Sequence, residues 1–377
     1  MTGASLVLSS SALVGARLAP VPALATLPLS LQFLTTMFVM FPAARLMLRA
    51  GRRPVFMGAA LVGMLGVALA AFGIWSDRFA AFCAAGCLLG VQAAVGQSFR
   101  FAAAESVPAA ARGRAISLTL AGGVIAAFVG PNLARVTRDA LAPPFFASFL
   151  ALIVTTALSF VFASQLRLPP MENAPRGDNP RPARAVVRQP LFLIAVATAA
   201  IGFMVMNLLM TATPLTMHAH GHGFGPTATV IQWHLVAMFA PSFFTGELIK
   251  RFGVRTLIAA GCVFMFACVA INVSGTTVVH FEVALALLGI GWNFLYVGGT
   301  TLLTETYHPH ERALAQGVND TVVFTMVTAS SLASAGLLSL LGWRTLNMVT
   351  LPLVCVPLVL LAGAIRPGGR KAPDVGY

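Results

Sequence analysis

Residues 167–189 read RLPPMENAPRGDNPRPARAVVRQ. The stretch holds five arginines, five prolines and no aromatic side chain, and the sequence on either side of it is overwhelmingly apolar. It is too polar to cross a bilayer and too poor in apolar groups to nucleate a core, so it reads as a solvated linker between two hydrophobic halves. With the linker as midpoint, the halves begin to match. Glu105 and Arg112 lie seven residues apart, and Glu305 and Arg312 repeat that spacing two hundred residues later. Gly51 opens GRRPV and Gly253 opens GVRTL, at an offset of 202. The expected organisation is a duplicated domain, with residues 1–166 and 191–377 flanking a linker at 167–190.

Composition sets the solvent. Charged residues make up 9% of the 377 and apolar ones 58%, where a water-soluble chain carries about a quarter charged. So few charges cannot cover a surface in water, and most of this surface must face lipid. The net charge of +13 suggests nucleic acid, but the basic residues sit in short loops between apolar spans, a pattern that orients membrane proteins rather than gripping phosphates. The five cysteines all lie within apolar spans and read as small core residues rather than redox or metal ligands.

A hydrocarbon core of about 30 Å takes roughly 20 helical residues. Twelve stretches qualify, at 2–18, 25–48, 55–75, 79–102, 115–134, 145–165, 191–216, 228–249, 254–273, 281–303, 315–341 and 345–365. Lipid forbids unpaired backbone, so all twelve must be helices. The expected fold is an all-α integral membrane protein of two pseudo-symmetric six-helix halves. Alternating the loops between sides places 18 Arg and Lys residues on the linker's side and five on the other, with Arg100 inside a span. That asymmetry is expected to put the linker and both termini of this multi-pass chain in the cytoplasm. Pro131, Pro214, Pro241 and Pro352 fall within spans, where proline frees a carbonyl and bends the helix.

Twelve spans, a central cytoplasmic linker and a two-half repeat resemble the major facilitator superfamily (MFS) of secondary transporters. Gly51, Arg52, Arg53 and Pro54 match the end of the motif this family carries between its second and third spans. Ala44 and Leu48 stand where the motif has a glycine and an aspartate, and Lys250 takes the acidic place in the second copy. The family's acidic latch in that loop is therefore missing. Gly86 and Gly90 fill positions where many members have an arginine and a glycine, and Gly130-Pro131 continues as Asn132-Leu133-Ala134, unlike the antiporter motif. The runs FRFAAAE (99–105), APSFFTG (240–246) and GWNFLYVGGTTLLTE (291–305) are similar to a bacterial branch of mostly unassigned substrate that includes riboflavin importers. The resemblance implies alternating access around one midplane site, lined mostly by spans 1, 4, 7 and 10.

Polar side chains inside a bilayer are costly, so they are the candidate site residues. Span ten supplies Trp292, Asn293 and Tyr296: two aromatic plates one helical turn apart and an amide beside them, suited to a flat heteroaromatic ligand or else to packing. Span eight adds Trp233 and His234 beside Gln232, span two adds Gln32, and span seven adds Asn207. Gln32 and His234 each precede the repeat glycine by nineteen residues, and are expected either to face one another across the cavity or to cap their helices. Arg100 and Asp320 would form a gating ion pair on the cytoplasmic side, or else snorkel and sit at a helix start. Glu247 is a weak candidate for coupling, and a coupling proton stays open because no acid lies deep in the first half. His218, His220 and His222 could hold a metal at their alternating spacing, though a solvated HAHGHG loop is the plainer reading.

These features lead us to expect a carrier of a small organic solute, with a flavin-like compound and import favoured over efflux. It needs no cofactor, and one chain holds both halves, so a monomer suffices. An intramembrane enzyme is the contrasting class. HExxH, GxSxG and P-loop motifs are all missing from the sequence.

Overall fold

The computed structural model describes residues 1–99, 102–103, 106–108, 112–166, 182–308 and 311–364. Every regular element among the described residues is a helix. In order come α1 (Thr2–Leu18), α2 (Leu27–Ala50), α3 (Arg52–Trp75), α4 (Phe79–Gly96), α5 (Arg112–Thr137) and α6 (Phe146–Gln165). After the linker and a short helix, Ala183–Val187, come α7 (Pro190–Ala219), α8 (Phe224–Phe239), α9 (Val254–Ser274) and α10 (Val278–Thr304). The next helix, Arg312–Met348, breaks at Gly342 (φ 72°, ψ 169°). We call the limb at 312–341 α11 and the one at 343–364 α12; the second limb ends in Leu351–Ala364.

Eight stretches of the described residues are long and apolar enough to cross a bilayer, and one of them, Leu314–Gly363, contains both α11 and α12. The remaining limbs are α1, which has only 17 residues, α5, and α8, which is interrupted. The twelve spans therefore fall close to where hydrophobic rhythm put them. Two details differ. The span expected over 228–249 stops being α-helical at Ala240–Phe243, a 3-10 turn holding Pro241, and resumes at Thr245–Phe252. Pro352 lies in the first turn of Leu351–Ala364 rather than mid-helix, a position where its missing N–H costs nothing.

The repeat is built into the packing. In the first six helices α2 and α3 both pack on α4, α3 on α6, and α1 on α5; in the last six α8 and α9 pack on α10, α9 on α12, and α7 on α11. The two sets meet along α2–α11 and α5–α8, which are themselves repeat-related pairs. Gly51 (φ 83°) and Gly253 (φ 81°) make the same left-handed turn into α3 and α9, a conformation that a Cβ would strain. Lipid supplies no hydrophobic drive between helices, so small residues provide close contact instead. A Cβ on Gly261 would lie 3.0 Å from the Gly291 carbonyl oxygen, and one on Gly291 2.9 Å from that of Gly261. The crossing of α9 and α10 needs both glycines.

Candidate functional site

Aromatic side chains gather at mid-depth in the second set of helices. Trp292 and Tyr296, one turn apart on α10, lie with rings 5.2 Å apart and 9° from parallel. Phe203 of α7 sits 5.2 Å from Trp292 and 5.6 Å from Tyr296, and Phe324 of α11 lies 6.3 Å from Phe203. Phe33, reaching over from α2, packs with Phe203 and Tyr296 against the group formed by Ala199, Ala200, Val323 and Val327. The group thus spans the boundary between the two sets. Trp292 is 8% exposed and its indole N–H has no partner among the described residues. A buried donor left unpaired costs about 1–3 kcal/mol, so it is an unusual thing to find on a ring cluster.

The other sequence candidates have different surroundings. Asn293 is turned to α8: its Nδ2 donates to the Met238 carbonyl (2.8 Å) and to Ser242 Oγ (2.7 Å), while Thr245 Oγ1 donates to its Oδ1 (2.8 Å). These bonds bridge the 3-10 interruption, and Asn293 braces that break. Asn207 donates from α7 to the Val327 carbonyl (3.1 Å) and Ser330 Oγ (3.0 Å) on α11. Gln32 lines a small void inside the first set with Pro28, Gly86, Leu89 and Phe149. His234 is fully buried with Nδ1 2.7 Å from the Leu285 carbonyl of α10; Nδ1 must donate, and Nε2 has no described partner. Gln32 and His234 therefore occupy equivalent places within their own sets and do not face each other, because each belongs to the interior of an α2–α4 or α8–α10 pair. Trp233 stacks edge-on with Phe128 of α5 at 5.7 Å and is 42% exposed, in line with the α5–α8 seam. Its neighbour Gln232 accepts from Asn132 Nδ2 across that seam.

Among the charges, Arg100 and Glu105 lie outside the described residues. Asp320 is half-buried two turns into α11 and accepts from Asn319 Nδ2 at 3.1 Å. It is not at the helix start, since α11 begins at Arg312. Glu247 is exposed and pairs with Lys250 at 3.4 Å, a solvated i,i+3 contact. Glu305 is exposed as well, whereas Glu311 is buried and accepts from the His308 N–H at 2.9 Å. The three histidines do not converge: His220 Nδ1 meets the Thr216 carbonyl (2.9 Å), His222 Nε2 meets the Thr276 carbonyl (2.7 Å), and His218 is exposed. No metal-ligating cluster occurs among the described residues. Carbonyl partners hold two of the imidazoles on separate contacts.

Sequence reasoning missed Phe203 and Phe324. Each stands four residues from a polar position already singled out, Asn207 and Asp320, and a search for aromatic rings one turn from intramembrane polar groups would have found both.

The Major Facilitator Superfamily profile matches residues 1–278 and 221–375. This chain belongs to the major facilitator superfamily. Riboflavin transporter RfnT of Brucella anthropi is 40% identical over 370 residues, covering 97% of this chain and 93% of that protein. The uncharacterized MFS-type transporter YddS of Bacillus subtilis is 28% identical over 335 residues, covering 83% and 76%. Among solved structures, the human organic anion transporter MFSD10 (TETRAN) superposes with a TM-score of 0.70 at 14% identity, covering 96% of this chain and 95% of that one. The MFS chain is thus a membrane transporter of a small-molecule substrate, and its packing is the fold of that superfamily.

Proposed function

We propose that this transporter imports riboflavin or a closely related flavin by alternating access. The observation that carries the reading is the ring cluster of Phe203, Trp292, Tyr296 and Phe324 at mid-depth, bearing one buried N–H without a partner among the described residues. Aromatic faces bind a planar tricyclic ring with large apolar contact, and a few placed polar groups orient it. Similarity to RfnT over nearly the whole chain supports the same substrate class.

In this reading residues 1–166 and 191–377 rock as two bodies, joined by the 167–190 linker, and one chain is the working unit. Basic-residue bias supports an inner-membrane orientation with the linker and both termini cytoplasmic. Asp320, the acid set deepest in a spanning helix among the described residues, is our candidate for a coupling proton. The solute emerges chemically unchanged, as for a carrier and unlike an enzyme.

The test is uptake of labelled riboflavin by cells lacking their own riboflavin synthesis and import, expressing this chain or Trp292→Ala at matched membrane levels. Uptake by the natural chain, lost in the variant and collapsed by a protonophore, is the expected result. No uptake with confirmed membrane expression discards flavin as substrate; uptake indifferent to the protonophore removes the proton.

A further inference from the structure

Two buried polar atoms without partners among the described residues flank the ring cluster, one on each side along the helix axes. Phe203 lies 5.6 Å from Tyr296 and 6.3 Å from Phe324, the neighbour of Val323, and both Phe203 and Tyr296 pack against the group that holds Val323 and Val327. Trp292 precedes Tyr296 by four residues on α10, which runs toward the linker side; its Nε1 is unpartnered. Asn319 precedes Val323 by four residues on α11, which runs the other way; it is 2% exposed and its Oδ1 is unpartnered. Because the two helices are antiparallel, Trp292 lies one turn to the far side of that group and Asn319 one turn to the linker side. Two turns of helix span about 11 Å. Asn319 also shares the α11 face of Val323 and Val327, the face that meets Phe203 and Tyr296.

The geometry points to a two-ended ligand: a planar heteroaromatic ring whose acceptor atom takes the Trp292 N–H, and a hydroxylated tail whose O–H groups donate to Asn319 Oδ1 on the linker side. This rests on the flavin reading and makes it specific, since it assigns separate residues to the ring and to the polyol. The Asn319–Asp320 hydrogen bond orients the amide so that its oxygen, rather than its nitrogen, is offered to the tail. Both unpaired atoms are then satisfied only when ligand is bound, and each discriminates against an analogue lacking its partner group.

The test compares riboflavin with lumiflavin, which has the same ring system and a methyl group in place of the polyol. Inhibition of labelled riboflavin uptake is measured for the natural chain, Trp292→Phe, Asn319→Leu and Asn319→Asp. For the natural chain, lumiflavin is expected to inhibit at least about tenfold more weakly than unlabelled riboflavin. Trp292→Phe keeps a ring and loses the donor, so it weakens both compounds by a similar factor. Asn319→Leu weakens riboflavin about tenfold and leaves lumiflavin unchanged, while Asn319→Asp, which keeps an acceptor, retains preference for riboflavin. Equal inhibition by the two compounds in the natural chain overturns the tail subsite while riboflavin import stands. So does an Asn319→Leu variant that loses both compounds alike, or an Asn319→Asp variant that loses the preference. A natural chain that takes up no riboflavin sinks the import reading itself.

Discussion

Helices α4 and α10 hold the same place in the two repeats and have been put to different use. Each presses a glycine onto its neighbour at an equivalent carbonyl: a Cβ on Gly90 would lie 2.5 Å from the Gln32 oxygen, and one on Gly289 2.7 Å from that of His234. Each pair also has a cross-helix hydrogen bond at matching height, from Thr36 Oγ1 to the Gly90 carbonyl (3.1 Å) and from Asn293 Nδ2 to the Met238 carbonyl (2.8 Å). With the two glycines aligned, Trp292, Asn293 and Tyr296 correspond to Ala93, Ala94 and Gln97. The scaffold is duplicated, and between these two helices the ring chemistry is confined to α10, Phe33 of α2 being the first set's contribution to the cluster. Backbone approach is what a twelve-helix bundle cannot vary, whereas side chains facing the centre are free to diverge.

The largest effects should come from the shared part. Gly90→Leu and Gly289→Leu each drive a side chain into a neighbouring backbone, where neither helix can give without losing its packing, at a cost of about 3 kcal/mol or more. Both variants are expected to leave little folded protein in the membrane, read as monodisperse yield after detergent extraction. If one is tolerated, the two helix pairs are not equivalent and the comparison fails at its base. Next come the side chains that differ. Trp292→Ala removes the central ring and is expected to cut uptake at low substrate by about thirtyfold or more, by analogy with buried aromatic hot spots. Gln97→Ala, at the position aligned with Tyr296, should stay within about twofold. A comparable loss from Gln97→Ala would place α4 in the site too.

Asn293 sharpens the contrast at a smaller scale. Its three hydrogen bonds bridge the break in α8, while α2 runs unbroken from Leu27 to Ala50 and needs no such brace. Asn293→Ala leaves buried partners unmet and is expected to lower stability by about 2 kcal/mol, against about 1 kcal/mol for Thr36→Val. Thermal unfolding in detergent would show the difference, and equal losses would mean that the break is not held by Asn293.

The sequence made the number of spans, their limits and the repeat legible, because hydrophobic length and the Gly51/Gly253 and Glu105/Glu305 pairs are local signals. Within the site, Trp292 and Tyr296 could be read as a pair since i,i+4 spacing on a helix guarantees a shared face. Asn293, Asn207 and His234 could not be assigned, because whether an intramembrane amide or imidazole braces a helix or faces a ligand depends on carbonyls some fifty to a hundred and twenty residues away. The three histidines are open in the sequence for the same reason. Their spacing allows convergence, while in the structure His220 and His222 meet the carbonyls of Thr216 and Thr276.

The smallest expected effect concerns the two seams. On α2–α11, Ser30 Oγ donates to Ser331 Oγ at 2.9 Å beside Thr26 Oγ1 to the Ser331 carbonyl at 2.8 Å; on α5–α8, Asn132 donates to Gln232. Both are uncharged, and both lie toward the side away from the linker. Hydrogen bonds between membrane helices couple by only about 0.6 kcal/mol on average, because the separated groups find other partners. Double-mutant cycles on Ser30/Ser331 and on Asn132/Gln232 should each return a coupling of about that size, measured as stability in detergent. Bonds this weak can hold a closed seam and still release it as the halves rock. A coupling several times larger at either seam would make it a fixed joint, and the two bodies could not exchange sides around the ring cluster.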